Sequence, residues 1–322
     1  MVCFRPICLF VAALAVVLTV GCALKSWFRT EETVFEPRRV RNGMLEIEGD
    51  FRTDGLLPLL DELQTTHQDM KEILHLPDPK DVTLIRVFND DYSLNEAIHE
   101  KMDVLPSRRT YFFETTRLEQ GQKVRQMEIL VKYTDCIADD LRHESAHGYL
   151  HSVCHRIPLW LDEGLAEYFE PQRTVQGVQG RHINRLMLRK NSTGWLPDLA
   201  RLEQLEKTVQ YDMTIEDYAE SWLWVHFLLN YAPQTRALLQ NYLNTLDSWR
   251  SPRPMSEQIA ELYPNNSQLV RDYLVQLNRT LCAITGESPL PSGNPNQENP
   301  PDSSPFPENS PSIPLDDRRQ LD

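Results

Sequence analysis

Residues 139–169 read DDLRHESAHGYLHSVCHRIPLWLDEGLAEYF and predict two consecutive helices with a proline between them. His143 and His147 are four residues apart in the first helix, so their side chains project from the same face. Two imidazoles in this arrangement can share one tetrahedral metal ion, and Glu144 then lies beside the open coordination position. The pattern therefore indicates a metal site on the first helix.

A site of this kind needs a third protein ligand, and the second helix offers two carboxylates. One large class of such sites has a third histidine six residues after the second, but that position holds Val153 in this chain. Glu163 and Glu167 are four residues apart, so both carboxylates project from one face of the second helix. The residues alone leave both glutamates open as the third ligand.

The two segments together resemble the gluzincin zinc metallopeptidases, and among them a bacterial family of unknown function with a peptidase-MA-like domain. The segment WLDEGLAEY (160–168) is similar to the Trp-Leu-x-Glu-Gly-x-Ala block of aminopeptidase-N-type enzymes, with a shorter connection between the helices. This resemblance implies that Glu163 is the third zinc ligand and that Glu167 hydrogen-bonds a zinc-bound histidine. It also implies a zincin-like fold and hydrolysis of peptide bonds.

A tyrosine further along the chain completes the implied catalytic group. The segment that starts at Tyr218 resembles the Tyr-x-Lys-Gly helix start of the same enzymes, whose tyrosine hydroxyl stabilises the tetrahedral intermediate. Glu220 and Ser221 replace the lysine and the glycine of that motif, and Tyr211 is the nearest alternative. In the implied reaction zinc activates a water molecule, Glu144 acts as general base and Tyr218 stabilises the oxyanion.

The substrate class follows only in part. The chain lacks the Gly-x-Met-Glu-Asn block with which aminopeptidases of this type anchor an amino group. We therefore expect a peptide or protein substrate and endopeptidase or carboxyl-directed cleavage. The alternative is a catalytically inactive, zinc-stabilised protein of the cell envelope with a binding or structural role.

Outside the motif, hydrophobic periodicity predicts an α+β fold, in which a small mixed β-sheet with helices is followed by a mainly helical lobe. The predicted strands are 44–48, 82–88, 108–116 and 124–132, and the predicted helices are 56–74, 92–101, 139–155, 159–170, 180–189, 198–208, 214–231, 235–247 and 266–284. The zincin-like domain spans 44–284, with a sheet part (44–135) and a helical part (136–284). By analogy with gluzincins, strand 124–132 is expected to be the edge strand that pairs with an extended substrate.

Both ends of the chain have a distinct composition. Residues 1–22 combine one arginine, a long apolar run and Gly21-Cys22, which is typical of an export signal with a lipobox. We expect a lipoprotein of the cell envelope anchored through Cys22, with an uncleaved anchor or a secreted protein as alternatives. Residues 23–43 are predicted to be a linker. The proline-rich residues 285–322 are predicted to be a disordered tail.

Charge and side-chain type restrict the remaining possibilities. A net charge of −14 argues against nucleic acid as a partner, because phosphate binding needs an excess of lysine and arginine. His151 and His155 are predicted to be solvent-facing or hydrogen-bonded, and Trp222 and Trp224 to belong to the core. The cysteines outside the signal segment, which are Cys136, Cys154 and Cys282, are expected to be free thiols, with a Cys154–Cys282 disulfide as the alternative.

Overall fold

Five strands in the first part of the described chain form one mixed β-sheet. The computed structural model describes residues 38–49, 53–101, 110–119, 122–205, 213–246 and 252–285. The strands are β1 (Arg38–Asn42), β2 (Leu45–Gly49), β3 (Thr83–Phe88), β4 (Thr110–Glu119) and β5 (Gln122–Lys132). Their order is β1-β2-β3-β5-β4, in which β2, β3 and β5 are parallel and both outer strands are antiparallel to their neighbours.

Helices follow the sheet almost without interruption. They are α1 (Leu57–Leu74), α2 (Asp91–His99), α3 (Ile137–Val153), α4 (Leu159–Phe169), α5 (Gly180–Thr193), α6 (Leu199–Gln204), α7 (Ile215–Asn230), α8 (Pro233–Thr245), α9 (Met255–Leu262) and α10 (Asn266–Thr285). The first two lie among the strands, and the others form the helical part. The predicted α+β class, a small mixed sheet followed by a mainly helical lobe, is confirmed.

Alternation along the strands supplies the sheet with two apolar faces. Ile47, Ile85 and Ile129 lie on the face that packs against α1 and α3. Leu130, one residue further along β5, lies on the opposite face and packs against α2. The helical part has its own larger core, in which Trp160, Trp222 and Trp224 are fully buried, so the core role predicted for Trp222 and Trp224 is confirmed.

The structure bears on three predictions, two about strands and one about cysteines. Residues 38–42 of the predicted linker form β1, because a turn at Gly43, with φ of 59°, folds them back onto β2. The expectation that strand 124–132 is an edge strand is wrong: β5 pairs with β3 on one side and with β4 on the other, so β4 is the edge strand on this side of the sheet and β1 on the opposite side. Cys136, Cys154 and Cys282 are free thiols, as expected.

Several predictions about the chain ends lie outside the described residues. These are the signal segment, the lipidation of Cys22 and the proline-rich tail. No helix in the described part of the chain combines the length and the apolar character that crossing a membrane requires.

Helices α4 and α7 approach each other closely at a glycine. A Cβ atom at Gly164 would lie 2.7 Å from the backbone carbonyl oxygen of Ser221, closer than real Cβ contacts allow. This position is the glycine of the Trp-Leu-x-Glu-Gly segment. The small residue lets the helix that carries Glu163 pack directly on its neighbour.

A buried histidine, His67, joins α1 to α3, and its lowered pKa predicts that acid destabilises the fold. His67 Nε2 lies 2.8 Å from Ser145 Oγ and 3.0 Å from the Ser145 carbonyl oxygen. Burial lowers the pKa of His67 to about 4, although the hydrogen bond to the Ser145 backbone opposes this shift. The unfolded chain therefore binds the extra proton between pH 6.5 and 4, and this contribution to stability is lost as the pH falls through that window.

We expect the free energy of unfolding to fall by about 2 kcal/mol more in the wild type than in His67→Gln between pH 7 and pH 5. Urea unfolding of both proteins, with a chelator present throughout, measures this difference. Other titrating groups are shared by the two proteins and cancel. Equal pH dependence in both would contradict a neutral His67.

Candidate metal centre

Helix α3 presents two imidazoles on one buried face. Asp139 and Asp140 occupy its first turn, where negative charge favours the N-terminal end of a helix. His143 and His147 follow one and two turns later and are both buried. Their Nε2 atoms lie 3.2 Å apart, as the four-residue spacing predicts for two ligands of one ion.

Helix α4 brings the third group to the same point. It begins after Pro158, whose extended backbone ends the connection from α3. Glu163 Oε2 lies 3.5 Å from His143 Nε2 and 3.4 Å from His147 Nε2. The three atoms thus form a nearly equilateral triangle between the two helices.

The triangle has the dimensions of a tetrahedral metal site. Metal–ligand bonds of about 2.0–2.1 Å at tetrahedral angles place neighbouring ligand atoms about 3.3–3.4 Å apart. The observed separations are 3.2, 3.4 and 3.5 Å. Glu163 Oε2 is also buried without a hydrogen-bond partner, a costly arrangement that a metal ion would satisfy. The predicted ligands His143, His147 and Glu163 therefore form a group that can hold a metal ion.

The electrostatics of the group favour a cation. Burial lowers the pKa of His147, but the charges of Asp162 and Glu163 outweigh it and raise the pKa to about 10. Burial raises the pKa of Glu163, but the charges of His147 and His143 and their close contacts to the Glu163 carboxylate lower it to about 2. Because this field stabilises positive charge, metal binding would release protons that the imidazoles otherwise hold.

Each metal-facing imidazole has a carboxylate at its other nitrogen. Asp162 Oδ1 lies 3.0 Å from His147 Nδ1, and Glu170 Oε2 lies 3.4 Å from His143 Nδ1. Such partners hold a ring with Nε2 directed at the ion. Neither residue was predicted from the sequence, although Glu170 is seven residues after Glu163 and hence on the same helical face.

Glu167 is hydrogen-bonded to side chains of α5. Its carboxylate accepts hydrogen bonds from His182 Nε2 at 2.8 Å and from Arg181 at 2.9 Å. Arg181 also donates to Glu170 at 2.7 Å. Glu170 lies against Nδ1 of His143, while α5 supplies the hydrogen-bond donors to Glu167. The role that the resemblance implied for Glu167, a hydrogen bond to a zinc-bound histidine, stays a prediction.

The two predicted catalytic side chains lie on helices of the site. Glu144 is half-buried beside His143. Burial lowers the pKa of His143, but its contacts to Glu163 and Glu170 and the charges of Glu167 and Glu144 outweigh burial and raise that pKa well above its ordinary value. Tyr218 is buried in the first turn of α7, the helix that packs on α4. The alternative, Tyr211, lies outside the described residues. The roles of Glu144 and Tyr218 stay predictions.

The edge strand runs beside the histidines of α3. The ring of Phe112 in β4 lies 6.1 Å from the ring of His147 and 5.1 Å from that of His151, between centroids. His151 is hydrogen-bonded, as one of the two predicted possibilities had it, and His155 is exposed with its Nε2 2.7 Å from Arg125. The site therefore combines groups from the sheet edge and the helical part.

Comparison with known proteins covers part of this region. A family model described as a protein of unknown function (DUF1570) matches residues 137–252, a little over a third of the chain. No curated protein and no solved structure matches the chain. The matched segment starts at the first residue of α3 and contains His143, His147 and Glu163, so the chain is similar to this family over the region that carries the candidate metal centre.

Proposed function

We propose that the protein is a zinc-dependent metallopeptidase of the gluzincin type, with zinc held by His143, His147 and Glu163. The observation that carries this proposal is the triangle of three ligand atoms with tetrahedral spacing, directly beside Glu144 in sequence. Two imidazoles and one carboxylate are one of the ligand sets of catalytic zinc sites, which keep a fourth position for water or substrate.

The residues of the chain divide the chemistry among them. Bound zinc would polarise the scissile carbonyl group and make water a better nucleophile near neutral pH. Glu144 takes the proton of the attacking water and returns it to the leaving amine, so that one carboxylate serves both steps. Tyr218 donates its hydroxyl proton in a hydrogen bond to the developing oxyanion. Asp162 and Glu170 keep the two imidazoles in the tautomer that binds a cation through Nε2.

The proposed substrate is a peptide or protein cleaved by endopeptidase or carboxyl-directed action. The proposed setting is the cell envelope, reached through the export signal in residues 1–22 and held there by a lipid on Cys22. The acidic chain gives no support to nucleic acid as a partner.

Metal analysis combined with an unbiased peptide-library digest tests the proposal. We expect one zinc ion per chain and cleavage of peptides that stops on chelation and returns when zinc is restored. Stoichiometric zinc without cleavage of any peptide in the library would remove the peptidase and favour the alternative, a zinc-stabilised binding or structural protein.

A further inference from the structure

Three side chains connect the edge strand β4 to His147, one of the two imidazoles of the candidate metal centre. Glu114 Oε2 of β4 lies 3.0 Å from His151 Nδ1. His151 Nε2 lies 3.0 Å from Asp162 Oδ2, and the other oxygen of Asp162 lies 3.0 Å from His147 Nδ1. The path therefore runs from β4 through α3 and α4 to the candidate metal centre. Its first two contacts are hydrogen bonds, and the last, between Asp162 and His147, is an ion-pair contact outside hydrogen-bond geometry.

The chemistry of these groups fixes the direction of each contact. Ionised carboxylates only accept hydrogen bonds, so His151 donates one proton to Glu114 and another to Asp162. An imidazolium held between two carboxylates makes two charge-assisted hydrogen bonds, which are stronger and shorter than neutral ones. Asp162 then has one carboxylate oxygen for each histidine, so His151 and His147 together determine the orientation of its carboxylate plane.

Two neighbours hold the outer end of this path in place. Arg125 of β5 lies 2.8 Å from the second oxygen of Glu114, and it also donates to the carbonyl oxygen of His151 at 2.6 Å. Phe112, which like Glu114 belongs to β4, packs against the rings of His151 and His147. Glu114 is thus a fixed part of β4 although its side chain reaches solvent.

We propose that Glu114, His151 and Asp162 form a positioning relay through which the edge strand β4 sets the orientation of His147 in the metal centre. The inference rests on the proposed function in one respect, that His147 is a metal ligand. The three residues act through His147 and are positioning residues. The other imidazole, His143, is supported from within the helical part by Glu170 and has no such path to the sheet edge among the contacts described above.

Zinc affinity measured by chelator competition on the full chain tests the relay. Glu114→Gln and His151→Gln are each expected to weaken zinc binding by about tenfold, the lower end of the loss seen for partners of ligating histidines. The double variant should lose no more than the weaker-binding single variant, because both changes break the same path. His99→Gln, at an exposed histidine in the last turn of α2, is the matched control and should bind zinc as the wild type does.

A spectroscopic measurement separates positioning from a general loss of stability. In the cobalt-substituted protein, Glu114→Gln and His151→Gln should alter the visible absorption spectrum, whereas His99→Gln should not. Unchanged affinity and spectrum in Glu114→Gln, or losses in the two single variants that add in the double variant, would overturn the relay. Glu114 lies at an exposed position, so Glu114→Gln should fold and can test the relay even where His151→Gln does not fold.

These measurements test the relay separately from the proposed peptidase activity. Neither measurement needs turnover, so altered zinc affinity in a protein that cleaves no peptide keeps the relay and removes the peptidase. Active wild-type protein whose affinity and spectrum are unchanged in the relay variants keeps the peptidase and removes the relay. A wild-type chain that binds no zinc overturns both.

Discussion

Glu144→Gln is expected to reduce kcat for any peptide that the wild type cleaves by about 10³-fold, within the range of general-base contributions, while zinc stays bound. Glutamine keeps the size and polarity of the side chain but has no basic oxygen that could take a proton from water. Because Glu144 is not among the three ligand atoms, the metal content should not change. Steady-state kinetics and metal analysis on the same preparation measure both quantities.

Glu216→Gln is the matched control for this prediction. Glu216 lies in the first turn of α7 and forms an ion pair with Arg185 at 3.4 Å, away from the three ligand atoms. Its replacement should leave kcat and zinc content as in the wild type. Full activity in Glu144→Gln would exclude this residue as the general base.

Removal of the third ligand should weaken metal binding more than any other single change on α4. Glu163→Gln is expected to raise the zinc dissociation constant by more than ~100-fold, because the loss of a mere partner of a ligand already costs 10–100-fold. Since bound metal stabilises the folded chain, a chelator should lower the Tm of the wild type and leave that of Glu163→Gln nearly unchanged. Chelator competition and thermal unfolding with and without chelator provide the two measurements.

Glu167→Gln supplies the control for the ligand assignment. Glu163 and Glu167 are equivalent by helical spacing, but Glu167 accepts hydrogen bonds from His182 and Arg181. Replacement of Glu167 should lower the free energy of unfolding, because the buried His182 and the half-buried Arg181 lose a charged acceptor. Its effect on zinc affinity should stay below about tenfold. A larger loss of zinc affinity in Glu167→Gln than in Glu163→Gln would reverse the assignment.

Periodicity predicted the ligand-bearing elements well because the relevant contacts are local. His143 and His147 share one helix, and Glu163 follows in the next, so a spacing of four residues and one proline were enough to find α3 and α4. Strand β1 escaped detection because three of its five residues are arginines, whose charges at a sheet edge conceal a strand. Helix α9 has only eight residues and follows Pro254, which made it look like part of a loop.

The surroundings of the ligands depend on packing that no local pattern contains. Glu167 has the right spacing for a partner of His143, but α5 supplies Arg181 and His182 as its donors, and Glu170 lies against His143. The position of β4 at the edge follows from hydrogen bonds between strands that are far apart in sequence. The sequence could therefore predict which groups meet at the candidate metal centre, but not which groups contact them from behind.

The three predicted ligands lie close together in sequence, and this has a consequence for folding kinetics. His143 and Glu163 belong to adjacent helices joined by only a few residues, whereas β3 must find β5 across some forty intervening positions. Contacts close in sequence form early because they need little loop closure, and distant strand pairing is slow. We therefore expect the α3–α4 hairpin to acquire metal affinity while the sheet is still unpaired, so that the ion enters during folding and acts as a nucleus for the remaining chain.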